Sequence, residues 1–227
     1  MMKNKIFTYE KEEVFADAKD FFISSSGFDL EKPRHQKMLA GALSVLEKEQ
    51  PEGPVKVICS RFGKEAYHDN KIEIGGNVIS CNGFSRISGE HVRDVYVCAV
   101  TAGEWIPKED KSTKAQVYMD TWGTAFADCG KALFEKELQG QLEEGLYLSD
   151  PFGPGYYGMP HSDIKKLAKI IPMDLIGVQL RESGIMVPLK TIAAIYLVTD
   201  DPQVLPPLAC SECFGRLEGC RMCSNNK

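Results

Sequence analysis

The chain has no surplus of positive charge. Its 27 Lys and Arg stand against 32 Asp and Glu, a net charge of -5 with an isoelectric point near 5.5. That balance argues against a phosphate-reading surface, because nucleic-acid binders carry a basic face that releases counterions; nucleic acid is not an expected partner. Long apolar runs are missing too. The stretch TIAAIYLV at 191–198 falls far short of the roughly 20 residues that cross a bilayer. MMKNKIFTYEKEEVF at the N-terminus lacks the continuous apolar segment of a signal peptide. These absences point to a cytoplasmic protein with no membrane partner. Neither repeats nor low-complexity segments occur. What remains is 227 residues, 43% hydrophobic and 26% charged, enough apolar material for one ordinary globular core.

Periodicity supplies the elements. EKEEVFADAKDFFI sets Val14, Phe15, Ala18, Phe21 and Phe22 on one helical stripe, and RHQKMLAGALSVLEKEQ does the same with Leu39, Leu43 and Leu46. PVKVICSRF reads as a strand, KIEIGGNVIS as a hairpin turning at Gly75 and Gly76, and VRDVYVCAVTAG as an interior strand. From Ala115 to Leu138 apolar residues recur every three or four positions, which predicts one long helix crossing the core. Ser162 and Asp163 are expected to cap the helix of DIKKLAKII, which Pro172 stops; IGVQL and TIAAIYLV make two more strands. Helices first, then strands, a helix and further strands do not alternate as βαβ units. The expected fold is α+β with a mostly antiparallel sheet, over residues 1–204. DDPQVLPPLAC, with three prolines, links it to a cysteine-rich tail at 205–227.

Two segments carry chemistry. PFGPGYYGMPHSD, 151–163, holds three prolines that fix the backbone and three glycines that let another group approach the peptide planes. Tyr156 and Tyr157 either offer a ring and a hydroxyl to a flat ligand with a polar tail, such as an adenosyl group, or plug the edge of the core. The tail CSECFGRLEGCRMC places Cys210, Cys213, Cys220 and Cys223 in two Cys-x-x-Cys knuckles six residues apart. Four thiolates so spaced suit tetrahedral zinc or an iron-sulfur cluster, against free thiols or a pair of disulfides. Zinc would clip a short segment; a cluster would carry an electron. Cys59, Cys81, Cys98 and Cys129 are scattered and read as buried apolar thiols. His68 and His91 are single histidines assigned to the surface.

GPGYYGMPHSDIKKL, followed by LRESGIMVPLKTIAAIYLV, resembles the activation domain of cobalamin-dependent methionine synthase, in which an alanine-proline-glycine-tyrosine-proline turn precedes a helix and a Leu-x-Glu-Ser…Met-x-Pro stretch. The likeness covers 151–198 and extends to the helix YMDTWGTAFADCGKALFEKEL; VYVCAVTAGEWI resembles short stand-alone relatives, and residues 1–90 carry little of it. The resemblance implies a bent antiparallel sheet with helices around it and a shallow groove for S-adenosylmethionine. By the same token it implies that Gly153, Pro154, Gly155 and Tyr156 form the ligand loop, mainly through backbone groups and the tyrosine, with Asp128 facing the ligand's cationic end. Glu182 matches the Glu-Ser pair but reads as a surface acid. Pro151 stands where the family's turn opens with an arginine able to hold the ligand carboxylate, so that anchor is missing; Pro160, His161 and Ser162 replace proline-aspartate-histidine.

The chemistry implied is reactivation: one electron and the methyl of S-adenosylmethionine return an oxidised cob(II)alamin to methylcobalamin. No Asp-x-His-x-x-Gly stretch occurs, so the cobalamin comes on a partner, a corrinoid-binding methyltransferase subunit, with an electron donor such as a flavodoxin or ferredoxin. Two other classes stay open: an iron-sulfur protein that reduces corrinoids without S-adenosylmethionine, and a non-catalytic docking protein.

Overall fold

The computed structural model describes residues 4–204. The two Cys-x-x-Cys knuckles therefore lie outside the described residues. Five antiparallel strands form the main sheet in the order β1 (Lys5–Tyr9), β2 (Val55–Gly63), β6 (Val92–Thr101), β10 (Thr191–Thr199) and β7 (Tyr147–Leu148). Three helices, α1 (Lys11–Ser25), α2 (Pro33–Glu49) and α3 (Thr113–Gln141), supply one apolar cluster. A small sheet of β3 (Tyr67–His68), β4 (Lys71–Ile74) and β5 (Asn77–Ser80), together with α4 (Ile164–Ile170), supplies the other. The architecture is the bent antiparallel sheet with surrounding helices that the resemblance implied. Among the described residues no helix is long and apolar enough to cross a membrane.

The period of two along each central strand divides the core. Val55, Val57 and Cys59 of β2, Cys98 and Val100 of β6, and Ala194 and Tyr196 of β10 point into the helical cluster. Ile58, Val95, Val97, Ala99, Ala193, Ile195 and Leu197 point into the other. Antiparallel sheets commonly leave one face wet; here both faces are covered, which is why β6 and β10 read as nearly unbroken apolar runs. The four scattered cysteines are buried and form no disulfide among the described residues.

Trp122 is the hub of the helical side. Fully buried, it stacks on Phe22 of α1 with ring centroids 4.1 Å apart, and its indole N–H donates to the Ala42 carbonyl of α2 at 3.1 Å. Ser112 caps α3, its Oγ accepting from the Ala115 amide at 3.1 Å. Just before it, the buried Glu49 carboxylate at the end of α2 accepts from the backbone amides of Lys108, Glu109 and Asp110. Those bonds, led by the one from Asp110, hold its carboxyl below the ordinary range. The start of the longest helix is thereby tied to α2.

Several expectations need correction. Asp163 holds the N-cap position of α4 but its side chain makes no capping hydrogen bond: a 3-10 turn, His161–Asp163, leads into that helix, and the buried Asp163 carboxylate pairs instead with Lys166 at 2.8 Å. IGVQL is mostly not a strand. A 3-10 turn, Met173–Ile176, leads into the two-residue β8 (Gln179–Leu180), which pairs with β9 (Met186–Val187). Phe15 is 37% exposed rather than on the buried stripe, and Leu43 is half-buried. The edge strands β1 and β7 were not anticipated. Pro202–Val204, within the expected linker, forms a 3-10 turn.

Candidate functional site

The proline-glycine-tyrosine loop is stitched to β10. Phe152 and Ile195 exchange both backbone hydrogen bonds, at 2.9 and 2.7 Å, and the Phe152 ring is buried edge-on against Phe84. The chain then folds back on itself: the Tyr156 amide donates to the Gly153 carbonyl at 3.0 Å, the Gly155 amide to Met159 at 2.9 Å, and the Met159 amide to Tyr156 at 2.9 Å. Met159 is buried at the base.

This corrects the reason for the glycines. A side chain at Gly155, where φ is +90°, would start 2.3 Å from a ring carbon of His161, and one at Gly158 would start 2.4 Å from the Asn82 amide nitrogen. The bare backbone accommodates the protein's own side chains, so that the imidazole of His161 lies against Gly155. The amides of Gly155 and Tyr156 are spent inside the loop. Those two amides are therefore not donors offered to a ligand.

The two tyrosines divide the roles left open by the sequence. Tyr157 is half-buried, packs against the second core cluster, and its carbonyl accepts from the Asn82 amide at 2.8 Å. Tyr156 is 56% exposed. Both line a cleft of about 840 Å³. Its floor is the first half of β10, Thr191 to Ala194; Gly153, Pro154 and Pro151 come from the loop, Asp128 and Lys131 from α3, His161 and Ser162 from the 3-10 turn before α4, Lys165 from α4, and Ser183 to Met186 from the β8–β9 turn. The structure thus brings Gly153, Pro154, Tyr156 and Asp128 to one cavity. Gly155 does not line it. Glu182 is exposed and does not line the cleft. His68 is exposed beside Glu73, and His91 is half-buried, bonded to Asp200 at 2.8 Å.

Electrostatics single out Asp128. It is the one acid among the described cleft-lining residues. Burial pushes its carboxyl above the ordinary range, with Lys131 acting in the opposite direction. Burial thus disfavours the charged form relative to a carboxyl in water. The stability this gives is full below the ordinary carboxyl pKa and is lost as pH rises through the raised value. A cation delivered beside Asp128 would reverse that preference.

Sequence reasoning missed Lys131, His161, Lys165 and the β8–β9 turn. The spacing of Asp128 and Lys131, three residues apart on a helix, was the available signal for the first. Among the described residues no group of three or more His, Cys, Asp or Glu is placed to hold a metal.

No family model and no curated protein sequence matches the chain. The fold does match solved structures, among them a crystal structure of the MetH reactivation domain bound to AdoHcy. That likeness has a TM-score of 0.58 at 13% identity and covers 88% of this chain and 79% of that one. The two chains share a fold.

Proposed function

We propose that the chain is an activation module that binds S-adenosylmethionine and serves a corrinoid methyltransferase, the cobalamin being carried by a partner subunit. The observation that supports this most is the cleft itself. It puts a half-exposed tyrosine ring, a floor of small residues at Ala193 and Ala194, and the desolvated carboxylate of Asp128 around one cavity. Its volume, about 840 Å³, is of the order that small-molecule sites use. A flat adenine suits the Tyr156 ring, and a sulfonium or ammonium suits Asp128. The shared fold with a domain whose crystal structure holds AdoHcy points the same way.

In this reading the methyl of S-adenosylmethionine, with one electron, returns an oxidised corrinoid to its methylated form and leaves S-adenosylhomocysteine. This chain's own residues bind and orient. Ile185, 48% exposed at the cleft, offers the partner an apolar contact. The electron comes from a separate donor of the flavodoxin or ferredoxin class, or from the tail.

Calorimetric titration with S-adenosylmethionine and S-adenosylhomocysteine tests the reading. Both are expected to bind, and Tyr156→Ala to weaken them about 10-fold or more, as loss of one stacking surface does. Affinity for S-adenosylmethionine should rise with pH just above the ordinary carboxyl range, as Asp128 ionises, and then level off. No heat with the parent chain at any pH would remove the small-ligand role and leave a docking protein.

The tail is the second part of the proposal. Cys210, Cys213, Cys220 and Cys223 are proposed to hold one zinc ion or an iron-sulfur cluster. Metal analysis of anaerobically purified chain is expected to find zinc, or iron with matching sulfide and a brown colour; metal-free protein with titratable tail thiols would refute it. Iron would favour the redox alternative, zinc a structural clip.

A further inference from the structure

The cleft wall on α3 carries two opposite charges one helical turn apart. Asp128 and Lys131 both line the cavity, and residues three apart on a helix stand about 5–6 Å from each other at Cβ. Asp128 makes no hydrogen bond or ion pair to the protein among the described residues. Its neighbours Lys131 and Lys190 act on it only through space.

Lys131 is held differently. Its ammonium donates to Glu135 Oε1 at 3.0 Å, and the same oxygen accepts from the hydroxyl of the buried Tyr196 at 2.9 Å. The Lys131 side chain is only 18% exposed. Glu135 thus fixes one of three ammonium protons and leaves two for another acceptor. The remaining cations fit less well. Lys190 is taken by Asp120 at 2.6 Å and Thr124 at 3.0 Å, and Lys165 stands on α4 with no acid beside it on the cleft wall.

We propose that Asp128 and Lys131 together clamp the amino-acid tail of the ligand, Asp128 taking the α-ammonium and Lys131 anchoring the α-carboxylate. The proposal rests on the nucleoside-binding reading above. An α-amino acid carries its two charges on one carbon, so it is recognised by an acid and a base held side by side. A helix face fixes that spacing before the ligand arrives, and a charge-assisted pair in a partly desolvated wall is worth more than one in water. Ligands with an adenosine but no amino-acid tail should accordingly be poor competitors. Specificity would be set here as well as at Tyr156.

The test titrates the full chain with S-adenosylhomocysteine, with its decarboxylated analogue, and with 5′-methylthioadenosine. The parent is expected to prefer S-adenosylhomocysteine to the decarboxylated form by about 10-fold, the equivalent of one charge-assisted contact. Lys131→Met should erase that preference, lowering affinity for S-adenosylhomocysteine far more than for the decarboxylated form, and Lys131→Arg should keep part of it. A merely structural role for Lys131 would weaken all three ligands alike, and that outcome overturns the proposal. So does a parent chain that binds all three equally, which leaves the nucleoside reading intact; a parent that binds none removes both.

Discussion

Valine in place of Gly155 is expected to lower affinity for S-adenosylhomocysteine by at least about 100-fold while the rest of the chain stays folded. Two costs coincide there. The backbone sits at φ +90°, a conformation that a β-branched residue tolerates poorly, at about 1–3 kcal/mol. In addition the first side-chain carbon would start 2.3 Å from the His161 ring, so the imidazole must leave its place on the cleft wall. The neighbouring Tyr156 is carried with the turn, and losing about 3 kcal/mol of site geometry corresponds to the stated factor. Calorimetry measures the affinity; circular dichroism and the unfolding midpoint, both near the parent's, show that the defect is local. Gly155→Ala combined with His161→Ala removes the clash but not the strain, and should recover part of the binding. Parent-like affinity in Gly155→Val would mean that the turn does not shape the site.

Trp122→Ala is expected to have the largest effect on stability, about 3–5 kcal/mol as for other fully buried large aromatics. In a domain of this size that corresponds to roughly 2–4 °C in unfolding midpoint per kcal/mol. The mechanism is specific. The indole bridges three helices, through its stack on Phe22 at 4.1 Å, its hydrogen bond to Ala42, and its own place on α3 beside Phe126 at 6.4 Å. Alanine leaves a cavity at that junction. Trp122→Phe keeps the stack and loses the hydrogen bond, so it should cost well under half as much. Denaturant titration decides; a loss below about 1 kcal/mol for the alanine variant would show that the helices repack without the ring.

What could be read from the sequence follows from how long each signal ran. The long helix from Ala115 to Leu138 was legible because its period repeats several times, and the strands of VKVICSRF and VRDVYVCAVT because their apolar stretches are long and rich in β-branched residues. β1 was not: it is five residues, KIFTY, and only Phe7 and Tyr9 turn inward. β8 and β9 pair over two residues each, too short for any alternation to show. At the site, the punctuation of the loop was plain but its purpose was not, because a glycine that admits a ligand and a glycine that admits His161 look identical in a string of letters. Asp128 was reachable only through resemblance. Lys131 looked like any lysine on the polar face of a helix, and its meaning depends on Glu135 and Tyr196, the latter some sixty positions away.

One strand serves two masters. Ala193 belongs to the cluster beneath the small sheet and Ala194 to the cluster beneath the helices, yet both line the cleft. The binding floor is therefore not an appendage that can loosen by itself. It is a party wall, and a guest resting against it leans on the structural heart of the molecule. A ligand held there as proposed would raise the resistance of the whole domain to unfolding.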